Sequence, residues 1–559
     1  MKKNLLVFLL LFTFVFQSSA MAQTAAKANS PARKAAETIT ADLLKDYLYY
    51  VASDEMEGRD TPSRGLDLTA KFIALNLKRW GFKPAGDDGT FFQKIALRRD
   101  VVDAANASVE IGGQKFAYGE DFMRVSGSAN GALSAPVVFA GNGWLIKSKN
   151  LNPYQGIDVK GKFIAVYGEG AITSPQTLVP LPAGITMADL QGNRGDGWAD
   201  VVTYARQNGA AGVIVLPSKF LQENWSTVRQ LFGRTRTYVE KLAEPTTTVI
   251  TAPVFIASTK FAEALFTGEA QNPLSGTAKN SFDLSAAKKL DFNIALKPET
   301  IYTQNVVAIW EGGDAKLKNE MVAVGAHYDH VGVNQNARGE DKIFNGADDD
   351  GSGTVAVLTM AEALAKSPKR PKRSILLVWH TGEEKGLWGS EYFNKFPTVD
   401  IKNVVAQLNI DMIGRSKNPN NIIPCDKPGK PCNEDLSAAS EIYVIGSEMM
   451  SSKLGEVTKS INNAFLKLNY NYRYDDPKDK NRFFFRSDHF NYAVNGIPIV
   501  FWFDGVHEDY HGADDEPDRI DYNKMQSVAR TIFLTMWELA DLKERPKVDK
   551  QLPPELTNR

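Results

Sequence analysis

Hydrophobic residues follow two rhythms along this chain. Between about 38 and 81 they recur at helical spacing. Thr40 stands as a cap before Leu43, Leu44, Tyr47 and Leu48. A second stripe over 68–80 carries Ala70, Phe72, Ile73, Leu75 and Leu77, and stops at Gly81. From about 134 to 265 the texture changes to short β-type runs, APVVFAG, GKFIAVYG, AGVIVLP and APVFIAS, punctuated by Gly and Pro. One helical stretch, 200–207, interrupts them. From about 305 onward strand and helix alternate. NVVAIW, EMVAVGA, SILLVWH, VVAQLNI and IPIVFWF are short and almost wholly apolar, as expected of central strands buried on both faces. Stretches 354–365 and 523–542 have helical period. The pattern predicts an α/β fold: a mixed central sheet flanked by helices, with a separate β-rich unit inserted before it.

The extreme N-terminus reads differently. Lys2 and Lys3 precede an apolar run from Leu5 to Phe16, followed by the small-residue pattern Ala20-Met21-Ala22. This is the layout of a signal peptide over 1–22, too short to span a bilayer comfortably. The expected mature chain is exported, periplasmic or secreted, with no membrane anchor once the signal is removed. Residues 23–36, rich in Ala, Lys and Ser, are expected to be a disordered leader. The expected division then runs 37–132 for the N-terminal part of the catalytic domain, 133–270 for the insert and 271–548 for the remainder.

Charge narrows the class. The 559 residues carry a net charge of −1, with no basic stripe and interleaved aromatics, so no nucleic-acid partner is expected. The sequence carries no signal of oligomeric state. Only two cysteines occur, Cys425 and Cys432, in a Pro/Gly-rich loop. Outside the cytoplasm they fit either a local disulfide or two free thiols, and their spacing fits no common zinc module.

The chemistry lies at the ends of the strands. All six histidines fall between His327 and His511. His327-Tyr328-Asp329 follows EMVAVGA. Asp348-Asp349-Asp350-Gly351 follows the next loop, Glu383-Glu384 follows SILLVWH, Asp411 follows VVAQLNI, and Asp509-Tyr510-His511 follows IPIVFWF. In open α/β sheets the ligand crevice lies outside the carboxyl ends of strands. Two imidazoles with several carboxylates suit zinc. Three carboxylates and two neutral imidazoles exceed the charge that one zinc ion neutralises, and a second ion restores the balance, as in two-metal hydrolases.

At these residues the chain resembles the zinc-dependent exopeptidases of the bacterial secreted leucyl-aminopeptidase type, a group whose more distant relatives include glutamate carboxypeptidase and glutaminyl cyclase. The matching segments are GAHYDHVG, NGADDDGSGT, TGEEKGLWGS, LNIDMIG, RSDHFNY with GIPIVFW, and DYHGADDEPDRID, in family order. GIDVKGKFIAVYG and ARQNGAAGVIVL in the insert resemble a protease-associated domain. The resemblance implies that His327 and Asp411 hold one zinc, Glu384 and His511 hold the other, and Asp349 bridges them through a residue whose next peptide bond is cis. It implies Glu383 as the general base, Asp329 as the carboxylate that orients the His327 imidazole, Tyr510 as a donor to the developing oxyanion, and Arg486 as a substrate-binding residue. His330, His380 and His489 are expected to be structural, and His507 to sit in a loop without ligating. The implied activity is removal of N-terminal residues from peptides with a free N-terminus. The same scaffold and metals also serve carboxypeptidases and dipeptidases, and a metal-dead receptor or binding protein is the alternative of another class.

Overall fold

A computed structural model describes residues 25–557, apart from 126–127, 169–180, 182, 234, 236, 244–251, 277, 279, 338 and 426–430. The expected signal segment lies outside the described residues. The chain forms two compact units, one from Met1–Ile95 with Tyr302–Arg559, the other from Ala96–Ile301.

The first unit is organised by seven strands: β1 (Leu296–Trp310, entering from the unit boundary), β2 (Met321–His327), β3 (Ser374–His380), β4 (Val404–Ile410), β5 (Glu441–Ile445), β6 (Asn469–Asn471) and β7 (Ile499–Phe503). Their order across the sheet is β1-β3-β2-β4-β7-β5-β6. β3, β2, β4 and β7 run parallel, while β1 is antiparallel to β3 and β5 is antiparallel to β7. The apolar runs have a direct physical cause. Side chains alternate across a strand, and here each face meets its own core. Ile375, Leu377 and Trp379 of β3 join one cluster, while Leu376 and Val378 join the other.

Eight helices matter for the site: α1 (Pro31–Ala36), α2 (Ala41–Val51), α3 (Arg64–Arg79), α4 (Gly353–Lys366), α5 (Trp388–Lys395), α6 (Ser452–Ala464), α7 (His489–Val494) and α8 (Tyr522–Asp541). α4 and α8 pack on β2, whereas α5 packs on β3 and α7 on β7. Thr40 caps α2 as expected, its hydroxyl accepting from the Leu43 N–H at 3.2 Å. α3 begins four residues before the predicted stripe because Ser63 caps it, accepting from the Leu66 N–H at 3.1 Å.

The leader expected to be disordered is folded over its described part. Ser30 caps α1, and Ala25, Ala26, Ala32, Ala35 and Ala36 are buried in the first core. The Ala25 N–H donates to Glu538 at 3.0 Å. Periodicity missed this segment because it has no large apolar side chains. Alanine needs none, since its small side chain lets α1 pack closely on α8.

In the second unit the strands Gly131–Phe139, Phe163–Val166, Gly212–Val215 and Val254–Ala257 run parallel. This unit is wider than the expected 133–270. Lys289–Ile294 pairs antiparallel with both Gly131–Phe139 and Ser108–Ile111, so strands from outside that range complete the sheet. Those outer strands alternate exposed and buried positions, a weaker signal than the continuous central runs. Among the described residues no helix is long and apolar enough to cross a membrane. Cys425 and Cys432 form a disulfide, with Cα atoms 5.1 Å apart.

Candidate metal centre

The carboxyl ends of β2, β3 and β4 and the loop after β7 bring the predicted acids and imidazoles together. His327 is the last residue of β2, and Asp411 directly follows β4. Asp349 lies in the turn before α4, with a cis bond to Asp350. Its two oxygens divide the centre. Oδ1 lies 3.2 Å from His327 Nε2, and Oδ2 lies 3.1 Å from His511 Nε2. Asp411 Oδ1 approaches His327 Nε2 at 3.6 Å, and Glu384 Oε2 approaches His511 Nε2 at 3.1 Å. Two donor groups result: His327, Asp349 and Asp411; and His330, Asp349, Glu384 and His511.

The three consecutive aspartates have separate roles. Asp350 accepts from the N–H groups of His327 (3.2 Å), Gly353 (2.9 Å) and Met412 (3.1 Å), tying two strand ends to the start of α4. Asp348 accepts from the Gly414 N–H at 2.7 Å, and its own N–H donates to Asp515. Of the three, only Asp349 points its oxygens at His327 and His511. Arg59 holds the frame from below. Fully buried, it donates to the carbonyls of Tyr328 (3.0 Å), Val51 (2.8 Å), Asn345 (2.7 Å) and Gly346 (2.8 Å).

Divalent ions fit this centre. His327 Nε2, His330 Nδ1, His511 Nε2 and Glu384 Oε1 are buried atoms without a hydrogen-bond partner. Buried polar atoms without partners are costly, and their clustering calls for a cation. Imidazole nitrogens and carboxylate oxygens are the donor set zinc takes.

Glu383 lines the same cavity, beside Glu384. Burial raises its carboxyl well above the usual carboxylate range. The charges of Glu384, Asp411 and Asp488 push the same way, and His327 opposes them. The cavity is about 250 Å³. Asp349, Glu383, Glu384 and Asp411 form its acidic part, and Leu387, Met412, Phe483, Phe485, Phe501, Phe503 and Val506 its apolar wall. Tyr510 and Arg486 also line it, with Arg486 donating to the Tyr510 hydroxyl at 3.3 Å.

One expectation needs correction. His330 is not a bystander: its Nδ1 lies 2.9 Å from Glu384 and 3.7 Å from Asp349. Residues three apart in a strand face opposite sides, but β2 ends at His327 and the turn through Tyr328 and Asp329 swings His330 inward. The second histidine of GAHYDHVG was the available signal. Asp329 faces both His327 and Glu383: its carboxylate Oδ1 lies 3.6 Å and its main-chain carbonyl 3.1 Å from His327 Nδ1, and the same Oδ1 accepts from the Glu383 N–H at 3.1 Å. His380 and His489 sit in the core, against Tyr492 and Phe501. His507 Nδ1 meets Arg415 at 3.2 Å, in the frame behind Asp348. Asp488, fully buried and pushed up to about 7 by burial, was missed because nothing in RSDHFNY marks a buried carboxyl.

Residues 305–536 match the family model described as Peptidase family M28. Every residue of both donor groups lies within this matched segment. The chain is 34% identical over 125 residues to leupeptin-inactivating enzyme 1 of Streptomyces exfoliatus, covering 22% of this chain and 25% of that protein. It is 32% identical over 151 residues to leucine aminopeptidase 2 of Trichophyton rubrum, covering 26% and 28%. The chain thus spans about a quarter of the length of these curated relatives. Among solved structures, a zinc aminopeptidase from Bacillus subtilis aligns over 92% of this chain and 97% of its own, at 18% identity and a TM-score of 0.46.

Proposed function

We propose that this chain is an exported aminopeptidase that uses two zinc ions to hydrolyse the first peptide bond of peptides with a free N-terminus. The observation that carries the reading is the pair of donor groups sharing Asp349, with Glu383 beside them on one cavity. His327, Asp349 and Asp411 would hold one ion, and Asp349, Glu384 and His511 the other. Zinc bound there lowers the pKa of water toward neutrality and polarises the scissile carbonyl. Glu383, whose burial strengthens its hold on a proton, takes one from the attacking water and passes it to the leaving amine. Asp329 positions this base through the Glu383 N–H. Tyr510, already accepting from Arg486, keeps its own O–H free to donate to the developing oxyanion.

The N-terminal polarity of the reaction is read from the sequence resemblance, and the cavity wall bears on the first residue. The apolar side favours a bulky apolar first residue. The name of one relative, leucine aminopeptidase 2, agrees with this reading. Export is supported by the signal-like N-terminus and by the Cys425–Cys432 disulfide, a bond kept in oxidising compartments. The second unit is read as a protease-associated domain from its sequence resemblance.

One peptide offered free and N-acetylated, with and without a zinc chelator, tests the reading by mass spectrometry. Stepwise loss from the N-terminus of the free form alone, stopped by chelation, is expected. Loss from the other end of both forms would make the chain a carboxypeptidase.

A further inference from the structure

We infer that His330 is a direct ligand of the ion held by Glu384 and His511, so that the two ion positions are unlike. One has three protein donors and an open side. The other has four, His330, Asp349, Glu384 and His511, and is closed. This rests on the two-ion reading above and goes beyond it.

Three observations carry it. His330 is fully buried, and neither ring nitrogen has a hydrogen-bond partner. A buried imidazole left so is unfavourable unless something else satisfies it. Its Nδ1 lies 2.9 Å from Glu384 Oε1, yet that oxygen also lacks a hydrogen-bond partner. The pair is near without hydrogen-bond alignment, as two lone pairs are when both aim at a common third point. The donor-atom separations, 2.9, 3.1, 3.1 and 3.7 Å, bracket the roughly 3.3 Å edge of a tetrahedron with zinc-ligand bonds of ~2.0–2.1 Å.

The surroundings hold the ring in place. The His330 N–H donates to the Arg59 carbonyl at 3.2 Å. Gly346, at φ 56°, lies flat against the imidazole: a Cβ there would sit 2.4 Å from His330 Cγ. Glycine is therefore required on two grounds, the backbone conformation and the space. His511 meets the His330 ring edge-on, with centroids 5.5 Å apart.

The chemical consequence is a division of labour. A zinc position with four protein donors is complete, as in structural sites, whereas one with three keeps a place for water or substrate. The open side then belongs to the His327, Asp349 and Asp411 position, and the closed position anchors Asp349.

The test uses zinc alone on the full-length protein. Zinc content is followed by mass spectrometry against graded chelator, and the imidazole count by X-ray absorption at the zinc edge. Wild type is expected to hold two zinc ions sharing three imidazoles and to release one far more readily than the other. His330→Ala, and His330→Gln in case the smaller side chain unfolds the loop, are expected to lose one imidazole. They should weaken the tighter position by more than the roughly 10–100-fold typical of an outer-shell partner. Two zinc ions sharing only two imidazoles in wild type would overturn the inference and leave the two-ion reading standing. Fewer than two ions in wild type would overturn both.

Discussion

The two units solve the same packing problem and end their strands differently. In each, parallel strands are buried on both faces and feed alternate side chains into two cores: Phe163 and Ala165 against Ile164 and Val166 in one unit, Ile375 and Leu377 against Leu376 and Val378 in the other. In the first unit the strands run out into His327, Glu383 and Asp411. In the other unit they run out into Tyr167, Leu216 and Ser258. Both metal donor groups found among the described residues lie in the first unit. Strand composition therefore builds the sheet, and the few residues just past each strand decide whether it carries chemistry.

Substitutions past the strands test that contrast. Asp349→Ala is expected to have the largest effect, because its two oxygens serve both donor groups: at least one zinc is lost, with turnover abolished, as metal analysis and a peptide assay would record. Two zincs still bound would end its role as the bridge. Glu383→Gln should keep both ions while lowering kcat by about 10²–10⁴-fold. Near-normal turnover would remove it as the base.

Asp475 offers an acid near a strand end that belongs to neither donor group. It accepts from the Gly446 N–H, just past β5, at 2.6 Å, and burial raises its carboxyl to about 6. A raised carboxyl pKa means the folded state binds more protons than the unfolded state between about pH 4 and 6. This group's contribution therefore favours the fold at low pH and is lost as pH rises through 6. Asp475→Asn keeps an acceptor for Gly446 and should stabilise the protein at pH 7 by up to about 3 kcal/mol, with little change at pH 4. Equal denaturation midpoints for variant and wild type at pH 7 would contradict this. Ser258 gives the smallest effect. It caps a helix in the second unit by accepting from the Phe261 N–H at 3.2 Å. Ser258→Ala should cost about 1 kcal/mol in chemical denaturation and leave turnover unchanged.

Much of this was legible in the sequence because it rests on local pattern. The central strands announced themselves by continuous apolar runs, and the acids past them by position. What escaped depends on three-dimensional context. The α1 alanines carry no period, yet they pack because they are small. Half-exposed Lys289–Ile294 pairs with a strand 153 to 163 residues earlier in the chain. His330 turns inward only because β2 stops at His327, and Asp488 is set apart by burial rather than by its neighbours in sequence.

Arg59 links this geometry to the order in which the chain is made. Its guanidinium clamps Val51 nearby, but Tyr328, Asn345 and Gly346 lie 269, 286 and 287 residues further on. At synthesis rates of ~5–20 residues per second, the arginine leaves the ribosome roughly 15–60 s before its distant carbonyls exist. The whole second unit emerges in that interval. The centre thus cannot assemble on the nascent chain until both halves of the first unit are present, and a zinc ion arriving earlier finds no site to enter.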